Sequence, residues 1–555
     1  PLVTPAIKAA QPPIDTTTLY LGDAGWGPVD SDPAIAYDTA SGELIFNTEE
    51  GLLGFAGEQY YNFVPLLATN VPTRADTFLT ITSTSAVGAD PTGSTWSGGL
   101  TCIGYVDELM NGLSPLDAIM LAQIGVPGTY HTWTIDTITG SSPTITLTLW
   151  RGSYVFNLRP ANTIPFYTST GAIYDYFNVT DAEYSFEHAL VLDVPGQPIW
   201  MMDKPLFDLP DHTLFDNGTA INLAHLIDDA IVGDAVANTL TINVGVRFPD
   251  NAFKQILANS WGVIIDKEYV VANALGWDGN LYTATKYGST PNWWIDWAGQ
   301  GAGIDYATQD PLDAMTPSCF VGTGPYHIDT ISQVSGQVIY KRNPTYWRNW
   351  PAAGSSGFVD TVVDEYISTW TSRKAAFLAG DIDTCYVPRA NMFELLDKTT
   401  GQPIGGISSN IETIKYIAPT LSFYAPEFQF DIAPTSTYIG TGKFPGGIPL
   451  NFFNNTHTRK AFCYAFNWST YIQQAYYGEA DYRSNPLSAG LYPDYYVANA
   501  SQQYFESYAN AEAELKAAIF NGTSVWDSGF TLPLTYNSGD DLRKIGCQMI
   551  SDFFL

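Results

Sequence analysis

Two glycines in the stretch GTGPY, Gly322 and Gly324, are the residues most suggestive of phosphate chemistry. A dinucleotide-binding loop has a third glycine and leads into a helix, and a mononucleotide loop ends in Gly-Lys-Ser/Thr. Neither pattern is present, because a proline and a tyrosine follow and the next residues, YHIDTIS, alternate like a strand. The sequence VSGQ at 334–337 is a natural turn between two strands. We therefore predict a β-hairpin in which the two glycines serve backbone geometry rather than phosphate binding.

Motifs of the common hydrolases are absent from the sequence. There is no Gly-x-Ser-x-Gly elbow around a nucleophilic serine and no His-Glu-x-x-His pair for zinc. The five cysteines have no metal-ligand spacing, since they stand at positions 102, 319, 385, 463 and 547. The sequence therefore predicts a protein that is not an enzyme and that has no cofactor and no metal site.

Aromatic residues crowd two stretches that are rich in turn-forming residues, PNWWIDW and GLYPDYY. The first contains Trp293, Trp294 and Trp297, and the second contains Tyr492, Tyr496 and the carboxylate of Asp494. Most aromatic side chains pack in cores, but those on loops lie at surfaces and clefts, where ligands bind. We therefore treat these residues as candidates for ligand contact.

The charge balance restricts the class of partner. The 555-residue chain has 24 Lys and Arg against 56 Asp and Glu, a formal net charge of −32. Binding nucleic acid requires a basic surface, so nucleic acid is not a predicted partner. No run approaches roughly eighteen consecutive apolar residues, so no membrane span is predicted. The length predicts about two to four domains.

Six Asn-x-Ser/Thr sequons favour a glycosylated protein outside the cytoplasmic membrane. They begin at Asn178, Asn217, Asn454, Asn467, Asn499 and Asn521. Chance supplies a few sequons in a chain rich in Asn and Thr, but six accompany a polar, largely uncharged composition.

Strands and helices are both predicted. Residues 73–160 contain runs of Thr, Ile, Val and Tyr between turn residues, which indicates strands. A helical pattern covers 180–194, where Thr180 or Asp181 can act as the N-cap. This mixture favours an α/β fold over a helical bundle or a β-sandwich.

Helical patterns also dominate the last hundred residues. One covers 456–478, and a second covers 510–522 with Gly522 as its stop signal. A third, at 541–555, ends on three apolar residues without a cap, and we expect from this that the sequence is a truncated part of a longer protein.

Several ordered stretches resemble signatures of the family 5 extracellular solute-binding proteins, the oligopeptide/dipeptide class that supplies ABC importers. They are DPAIAYDTASGELIFNTEEGLLGF, FVPLLATNVP, YVFNLRP with FNVTDAEYSFEHAL, GTGPYHI with IYKRNPTYW, TSRKAAFLAGDIDTCYV, TRKAFCYAFNWSTYI and YNSGDDLRKIGCQMI. The matches keep the family's order between residues 30 and 550. The region 73–150 is longer and richer in Thr than is usual in the family, and the family's C-terminal portion is missing.

The resemblance implies a two-lobed periplasmic-binding-protein fold of the α/β class with an extra β-rich subdomain. Lobe I would combine residues 1–60 with 195–320, and the extra subdomain would be 61–194. Lobe II would be 321–555, with a missing tail that returns to lobe I. In this scheme GTGPY marks the passage between the lobes, and Tyr346 and Trp347 pack beneath the hairpin.

The resemblance also implies the function and the site. A peptide would lie extended in the cleft between the lobes, flanked on one side by Glu50, Gly51 and Leu52. On the other side Asp494 would meet the N-terminal ammonium, with Tyr492 and Tyr496 beside it. Glu50 has an alternative interpretation as a structural acceptor for backbone amides. The implied partner is a membrane-embedded ABC permease, and a membrane anchor would lie outside this sequence.

Two other functions remain open. Some members of the family bind cello- or xylo-oligosaccharides, and Trp293, Trp294 and Trp297 would suit the faces of sugar rings. A surface-layer or filament component that has kept the fold is the second alternative, which the six sequons and the Thr-rich region favour. Each of these functions places the protein at the cell surface or in the extracellular space.

Overall fold

A computed structural model describes the chain over two units, residues 1–412 (unit 1) and 413–555 (unit 2). Each unit has its own clusters of buried apolar side chains. The described residues are 17–24, 26–57, 59–83, 96–105, 119–124, 130–141, 144–192, 197–207, 223–273, 275, 277, 279–281, 311–351, 358–397, 402–404, 425–436, 444–478, 480, 482, 503–536 and 541–555.

Strands and helices are interspersed in unit 1. Its strands are β1 (Thr18–Asp23), β2 (Leu53–Ala56), β3 (Gln59–Pro65), β4 (Ala75–Thr82), β5 (Leu100–Tyr105), β6 (Ile119–Ile124), β7 (Tyr130–Ser141), β8 (Thr144–Asn157), β9 (Pro165–Tyr167), β10 (Ile173–Tyr176), β11 (Ile231–Asp234), β12 (Thr239–Val244), β13 (Tyr326–Ser332), β14 (Gln337–Arg342), β15 (Thr361–Tyr366) and β16 (Thr384–Cys385). Its helices are α1 (Thr39–Thr48), α2 (Val179–Leu192), α3 (Trp200–Phe207), α4 (Leu223–Ala230), α5 (Asp250–Leu257), α6 (Lys267–Ala272) and α7 (Trp370–Ala379).

A five-stranded mixed sheet has the order β13-β14-β15-β1-β16. Strand β1 is parallel to both of its neighbours, β15 and β16, while β13 and β14 form the antiparallel hairpin predicted from the sequence. Gly336 in its turn has φ +66°, a conformation that glycine adopts without strain. Between β15 and β16, helix α7 is capped by Thr369 and ends at Gly380 in the left-handed region.

A second, antiparallel sheet confirms the strands predicted within 73–160. Its order is β11-β12-β8-β7-β6-β5, and β4 also pairs with β8. The long strand β8 pairs with β7 and β4 over its first part and with β12 over its last residues. The side chains of Leu147 and Leu149 are buried at 2% and 0% exposure, which follows the period of two expected of a strand with one face in a core.

The predicted helix at 180–194 is α2, but its N-cap is Asn178, so the assignment to Thr180 or Asp181 was wrong. The Oδ1 atom of Asn178 accepts a hydrogen bond from the backbone N–H of Thr180. In return, Asp181 Oδ2 accepts the backbone N–H of Asn178 at 2.8 Å. The two side chains thus cap reciprocally, as in a capping box, except that Asn178 accepts from the second rather than the third N–H of the helix.

Unit 2 is mainly helical over its described residues. Its elements are α8 (Thr456–Tyr464), α9 (Trp468–Ala475), α10 (Tyr508–Ala517), β17 (Ile519–Phe520), β18 (Thr523–Ser524), α11 (Val525–Ser528) and α12 (Asp541–Phe554). The apolar core contains tilted and edge-on rings of Phe452, Phe453, Phe462 and Phe530. The predicted terminal helix is confirmed as α12.

Two helix predictions in unit 2 need correction. The pattern over 456–478 is two helices, because the side chain of Asn467 accepts the N–H of Thr470 and starts α9. The helix predicted to stop at Gly522 ends earlier, at Ala517. Gly522, with φ +85°, instead lies in the turn between β17 and β18.

The predicted division into three parts crosses both large sheets. Strand β1 of the predicted lobe I pairs with β15 of the predicted lobe II, and β12 pairs with β8 of the predicted β-rich subdomain. Strand pairing thus connects residues on either side of positions 194 and 320, and unit 1 ends at residue 412. Strand pairing joins residues that are distant in sequence, and no local pattern reveals the partner. The lobe assignment remains a proposal.

Candidate functional site

The segment that follows α1 carries the predicted ligand-flanking residues Glu50, Gly51 and Leu52. Asp38 is the N-cap of helix α1 and its side chain accepts the N–H of Ser41; the helix buries Leu44 and Ile45 in the core of unit 1. The chain leaves the helix in an extended conformation at Glu49. Glu50 is 6% exposed and Leu52 is 0% exposed, so the segment runs through the interior of the unit.

The Glu50 carboxylate accepts three side-chain hydrogen bonds. Oε1 accepts from the Tyr346 hydroxyl at 2.5 Å, and Oε2 accepts from Trp347 Nε1 at 2.6 Å and from the Thr323 hydroxyl at 3.0 Å. Burial raises the pKa of Glu50, while these three hydrogen bonds and the charge of Arg348 oppose the rise. The side chain is therefore a structural acceptor, and its donors are side chains rather than the backbone amides considered from the sequence.

The backbone of the same segment is held on both sides. The Ile264 N–H donates to the Glu50 carbonyl at 3.0 Å, and Gly51 forms an isolated antiparallel bridge with Val263. On the other side the N–H groups of Leu66 and Leu67 donate to the carbonyls of Leu52 and Gly51. A side chain at Gly51 would place its Cβ 2.8 Å from a backbone oxygen, so only glycine fits.

Gly322 and Gly324 lie against the end of α1. This agrees with the prediction that the two glycines serve backbone geometry rather than phosphate binding. The Gly324 N–H donates to the Thr48 carbonyl at 2.9 Å. A Cβ at Gly322 would be 2.3 Å from that oxygen and 2.5 Å from Glu49 Cγ, and a Cβ at Gly324 would be 2.5 Å from the Thr48 carbonyl carbon. The glycines allow the close approach that brings Thr323 to Glu50.

Substitution of Gly322 by alanine is expected to destabilise the protein by about 1–3 kcal/mol, the usual cost of overpacking a tight site. The backbone of Thr48 cannot move aside without moving the end of α1. Urea unfolding of the variant measures the loss. Gly446→Ala is the control, because its Cβ would meet no atom within 4 Å, and we expect it to be close to neutral. Equal stability of the two variants would contradict the packing argument.

Glu49 lies next to Glu50 and is also buried, but its carboxylate lacks the hydrogen bonds that Glu50 accepts. It is 1% exposed, and neither of its carboxylate oxygens has a hydrogen-bond partner in the described part of the chain. Burial raises the pKa of Glu49 well above its ordinary value, and the charge of Asp32 adds to the effect. Asp32 itself is fully buried and bonds His188 Nε2 at 2.7 Å. Ionisation of Glu49 is therefore unfavourable in the folded state.

The difference in stability between Glu49→Gln and the wild type is expected to grow with pH. A carboxyl whose pKa is raised on folding contributes most to stability below its unfolded value, near 4.5, and that contribution is lost as the pH rises towards the folded value. Glutamine stays neutral, so the variant gains relative to the wild type by up to about 1.4 kcal/mol for each pH unit in that window. Urea unfolding from about pH 4.5 to about pH 8 measures the difference. A constant difference over this range would show that Glu49 ionises normally.

The other predicted ligand residues lie outside the described residues. These are Tyr492, Asp494 and Tyr496 in one loop and Trp293, Trp294 and Trp297 in the other. Of the predicted set, the structure describes Glu50, Gly51 and Leu52, which are consecutive in the chain. Sequence reasoning missed the roles of Thr323, Tyr346 and Trp347 as donors to Glu50, although the resemblance had singled out the stretches that contain them.

A cavity of about 720 Å³ lies within unit 2 between α10, α11 and α12. Its walls are mostly aromatic and aliphatic, and Glu512 and Lys544 are among the charged residues at its border. Of the predicted ligand residues that the structure describes, Glu50, Gly51 and Leu52, none lines this cavity. Cavity size alone therefore gives no reason to place the ligand here rather than at the Glu50 segment.

Among the described helices, none combines the length and the apolar character needed to cross a membrane.

Similar solved structures include several binding proteins, all at low sequence identity. An ABC transporter-associated periplasmic binding protein from Helicobacter pylori, in complex with the peptide STSA, is 17% identical over 90% of this chain and 66% of its own, with a TM-score of 0.46. The oligopeptide binding protein from Thermus thermophilus, complexed with a pentapeptide, is 14% identical over 97% of this chain and 70% of its own, with a TM-score of 0.48. The PBP AgaA from A. tumefaciens, in complex with agropinic acid, is 14% identical over 97% and 70%, with a TM-score of 0.45. This chain thus spans about two-thirds of the length of the first protein.

No curated protein sequence matches the chain significantly. The model of the family described as "Bacterial extracellular solute-binding proteins, family 5 Middle" matches residues 175–554, well over half of the chain. Members of this family are periplasmic or extracellular binding proteins with the mixed α/β, two-lobed fold class predicted from the sequence, which is thereby confirmed. The chain belongs to the family 5 extracellular solute-binding proteins.

Proposed function

We propose that the protein binds peptides outside the cytoplasmic membrane and delivers them to a membrane-embedded ABC permease. The assembly at Glu50 carries this proposal, because two signatures of the peptide-binding class meet there at one carboxylate. Thr323 and Trp347 are 273 and 297 residues away from Glu50 in sequence, yet both donate to it. The protein acts by binding and release, without a catalytic step.

In the proposed complex the peptide is extended, and its backbone pairs with the protein as an added strand would. Glu50, Gly51 and Leu52 flank it through the shape of their backbone, since the Glu50 side chain is already occupied. Asp494 meets the N-terminal ammonium, and Tyr492 and Tyr496 pack beside it. Binding then shifts an equilibrium between open and closed conformations towards the closed one.

Two of the six sequon asparagines lie at the protein surface, where a glycan could be attached. Asn454 and Asn521 are exposed, so a glycan on either would extend into solvent. Asn178 and Asn467 cap helices with their carboxamides, and the Asn467 Nδ2, to which a glycan would be attached, donates to Glu506 at 2.6 Å. We propose Asn454 and Asn521 as glycosylation sites. Asn217 and Asn499 lie outside the described residues.

Native mass spectrometry of gently purified protein tests the proposed function. We expect co-purified peptides, and calorimetry with short peptides should show binding while cello-oligosaccharides show none. Binding of cello-oligosaccharides alone would replace the peptide proposal with the sugar alternative, for which Trp293, Trp294 and Trp297 are the candidates. Ordered polymers in micrographs of cell envelopes, with no bound solute, would favour a structural surface component. The same mass spectra show whether glycans are attached.

A further inference from the structure

Three carboxylates meet where the N-termini of α2 and α6 lie side by side. Asp181 is in the first turn of α2, Asp266 is the N-cap of α6, and Glu268 is in the first turn of α6. One oxygen from each of the three lies within 4.8 Å of the others. Asp181 and Asp266 are 0% and 1% exposed, while Glu268 is at the surface. No sequence motif predicts this cluster, because its two parts are far apart in the chain.

Hydrogen bonds account for three of the four oxygens of the two buried carboxylates. Asp181 accepts the N–H groups of Asn178 at 2.8 Å and Lys267 at 3.1 Å, one on each oxygen. Asp266 Oδ1 accepts the N–H of Tyr269 at 2.8 Å. Asp266 Oδ2 is buried and has no hydrogen-bond partner in the described part of the chain. A buried oxygen without a donor is costly, and it points to a ligand that is absent from the protein atoms themselves.

The charges of the cluster are also unbalanced. No ion pair in the described ranges connects Asp181, Asp266 or Glu268 to a basic side chain. Asp175 adds a further negative charge near Asp266. Buried carboxylates need either a shared proton or a cation, and the partly open third carboxylate gives a cation access from solvent.

We propose that Asp181, Asp266 and Glu268 form a calcium-binding site that joins the start of α2 to the start of α6. All three ligands are oxygen atoms, which favours a hard cation such as Ca²⁺ or Mg²⁺. Oxygens that all lie within 4.8 Å of one another can reach one shared cation, since Ca²⁺–oxygen distances are about 2.3–2.6 Å. Calcium also accepts irregular geometry, with water completing its coordination at the exposed side.

The proposed ion has a structural role. Asp181 already connects the two helices through the Lys267 N–H, across 86 residues of sequence. A cation held by side chains from both helices strengthens that connection and neutralises charges that otherwise repel one another. The helix N-termini oppose a cation with their partial positive charge, but the backbone N–H groups that create it already donate to Asp181 and Asp266.

Calcium titration of the chelator-treated protein tests the proposal, with Mg²⁺ as the comparison and Tb³⁺ as a luminescent substitute for Ca²⁺. We expect one Ca²⁺ per chain, with a Tm increase of about 5 °C at a concentration 100 times the Kd. Tyr269 follows directly and packs edge-on to Tyr174 at 4.9 Å, so both rings can sensitise Tb³⁺ emission. Glu268→Gln and Asp266→Asn should each weaken Ca²⁺ binding at least about tenfold, because the affinity depends on the number of charged ligands.

The variants avoid Asp181, because both of its oxygens accept backbone N–H groups, whereas Asn at position 266 keeps an oxygen to cap α6. Glu427→Gln is the control, since it removes one exposed negative charge outside the cluster. The proposal is overturned if Ca²⁺ leaves the Tm unchanged, or if Glu268→Gln and Asp266→Asn bind Ca²⁺ and Tb³⁺ as tightly as Glu427→Gln. A stabilising effect of Asp266→Asn in calcium-free buffer, together with no response to Ca²⁺, would show that the two buried carboxylates share a proton instead.

Discussion

Glu50→Ala is expected to lower the free energy of unfolding by about 3–5 kcal/mol, a large share of the roughly 5–15 kcal/mol typical of a folded domain. The Glu50 carboxylate accepts from Thr323, Tyr346 and Trp347, and all three donors lose their acceptor when it is removed. Thr323 is buried and the other two donors are half-buried. A buried donor left without a partner costs about 1–3 kcal/mol, a half-buried one less, and the truncated side chain adds a cavity. Urea unfolding, followed by far-UV circular dichroism, measures the loss.

Glu50→Gln distinguishes the contribution of the hydrogen bonds to stability from that of packing, because glutamine fills nearly the same space as glutamate. Its amide keeps one acceptor oxygen but places an N–H₂ group opposite a donor, so we expect a loss smaller than that of alanine but still above about 1 kcal/mol. Glu49→Gln is a matched control at the neighbouring position, equally buried and without hydrogen bonds to lose in the described chain. The comparison is made near pH 4.5, below the range in which Glu49→Gln gains through ionisation of the wild type; equal changes in stability there would mean that the three hydrogen bonds contribute nothing.

The contrast between these two glutamates was invisible in the sequence. Both follow α1, and the residues EEG give no sign of which carboxylate is bonded. The family resemblance selected Glu50 as a ligand neighbour, and the same resemblance selected the stretches that contain Thr323, Tyr346 and Trp347. It did not connect them, because a hydrogen bond over 273 residues depends on the tertiary fold.

Local signals predicted the elements that depend on local physics. The alternating Thr, Ile and Val residues predicted the strands β4, β7 and β8. The turn residues around Gly336 predicted the β13–β14 hairpin, and the structure contains all of these elements. The helix break at Asn467 was missed because the apolar spacing continues across it, while the cap that starts α9 outweighs that spacing. The partners of β1 and the meeting of Asp181 with Asp266 depend on non-local packing, which periodicity does not encode.

The largest functional effect is expected from Asp494→Ala in peptide binding. Under the proposed function, Asp494 pairs with the N-terminal ammonium of the peptide in a site from which water is removed. Loss of one partner of such a pair costs about 2–5 kcal/mol, which corresponds to an affinity lower by about 30-fold to several thousand-fold. Calorimetry with a single peptide of defined sequence measures the change, and Glu427→Ala serves as a control that removes an exposed acidic residue elsewhere in unit 2.

The chemical counterpart of this substitution is acetylation of the peptide, which removes the ammonium charge from the ligand side. If Asp494 meets the ammonium, acetylation weakens binding to the wild type strongly but has little further effect on Asp494→Ala, so the two changes are not additive. Additive losses would show that Asp494 acts elsewhere than at the peptide terminus, and unchanged affinity of the variant would remove it from the site. Both outcomes leave peptide binding itself intact, whereas a wild type that binds no peptide contradicts the proposed function. Combining the substitution with acetylation of the peptide therefore tests whether the Asp494 carboxylate contacts the peptide ammonium. A general loss of acidic charge from the protein would not produce this non-additivity.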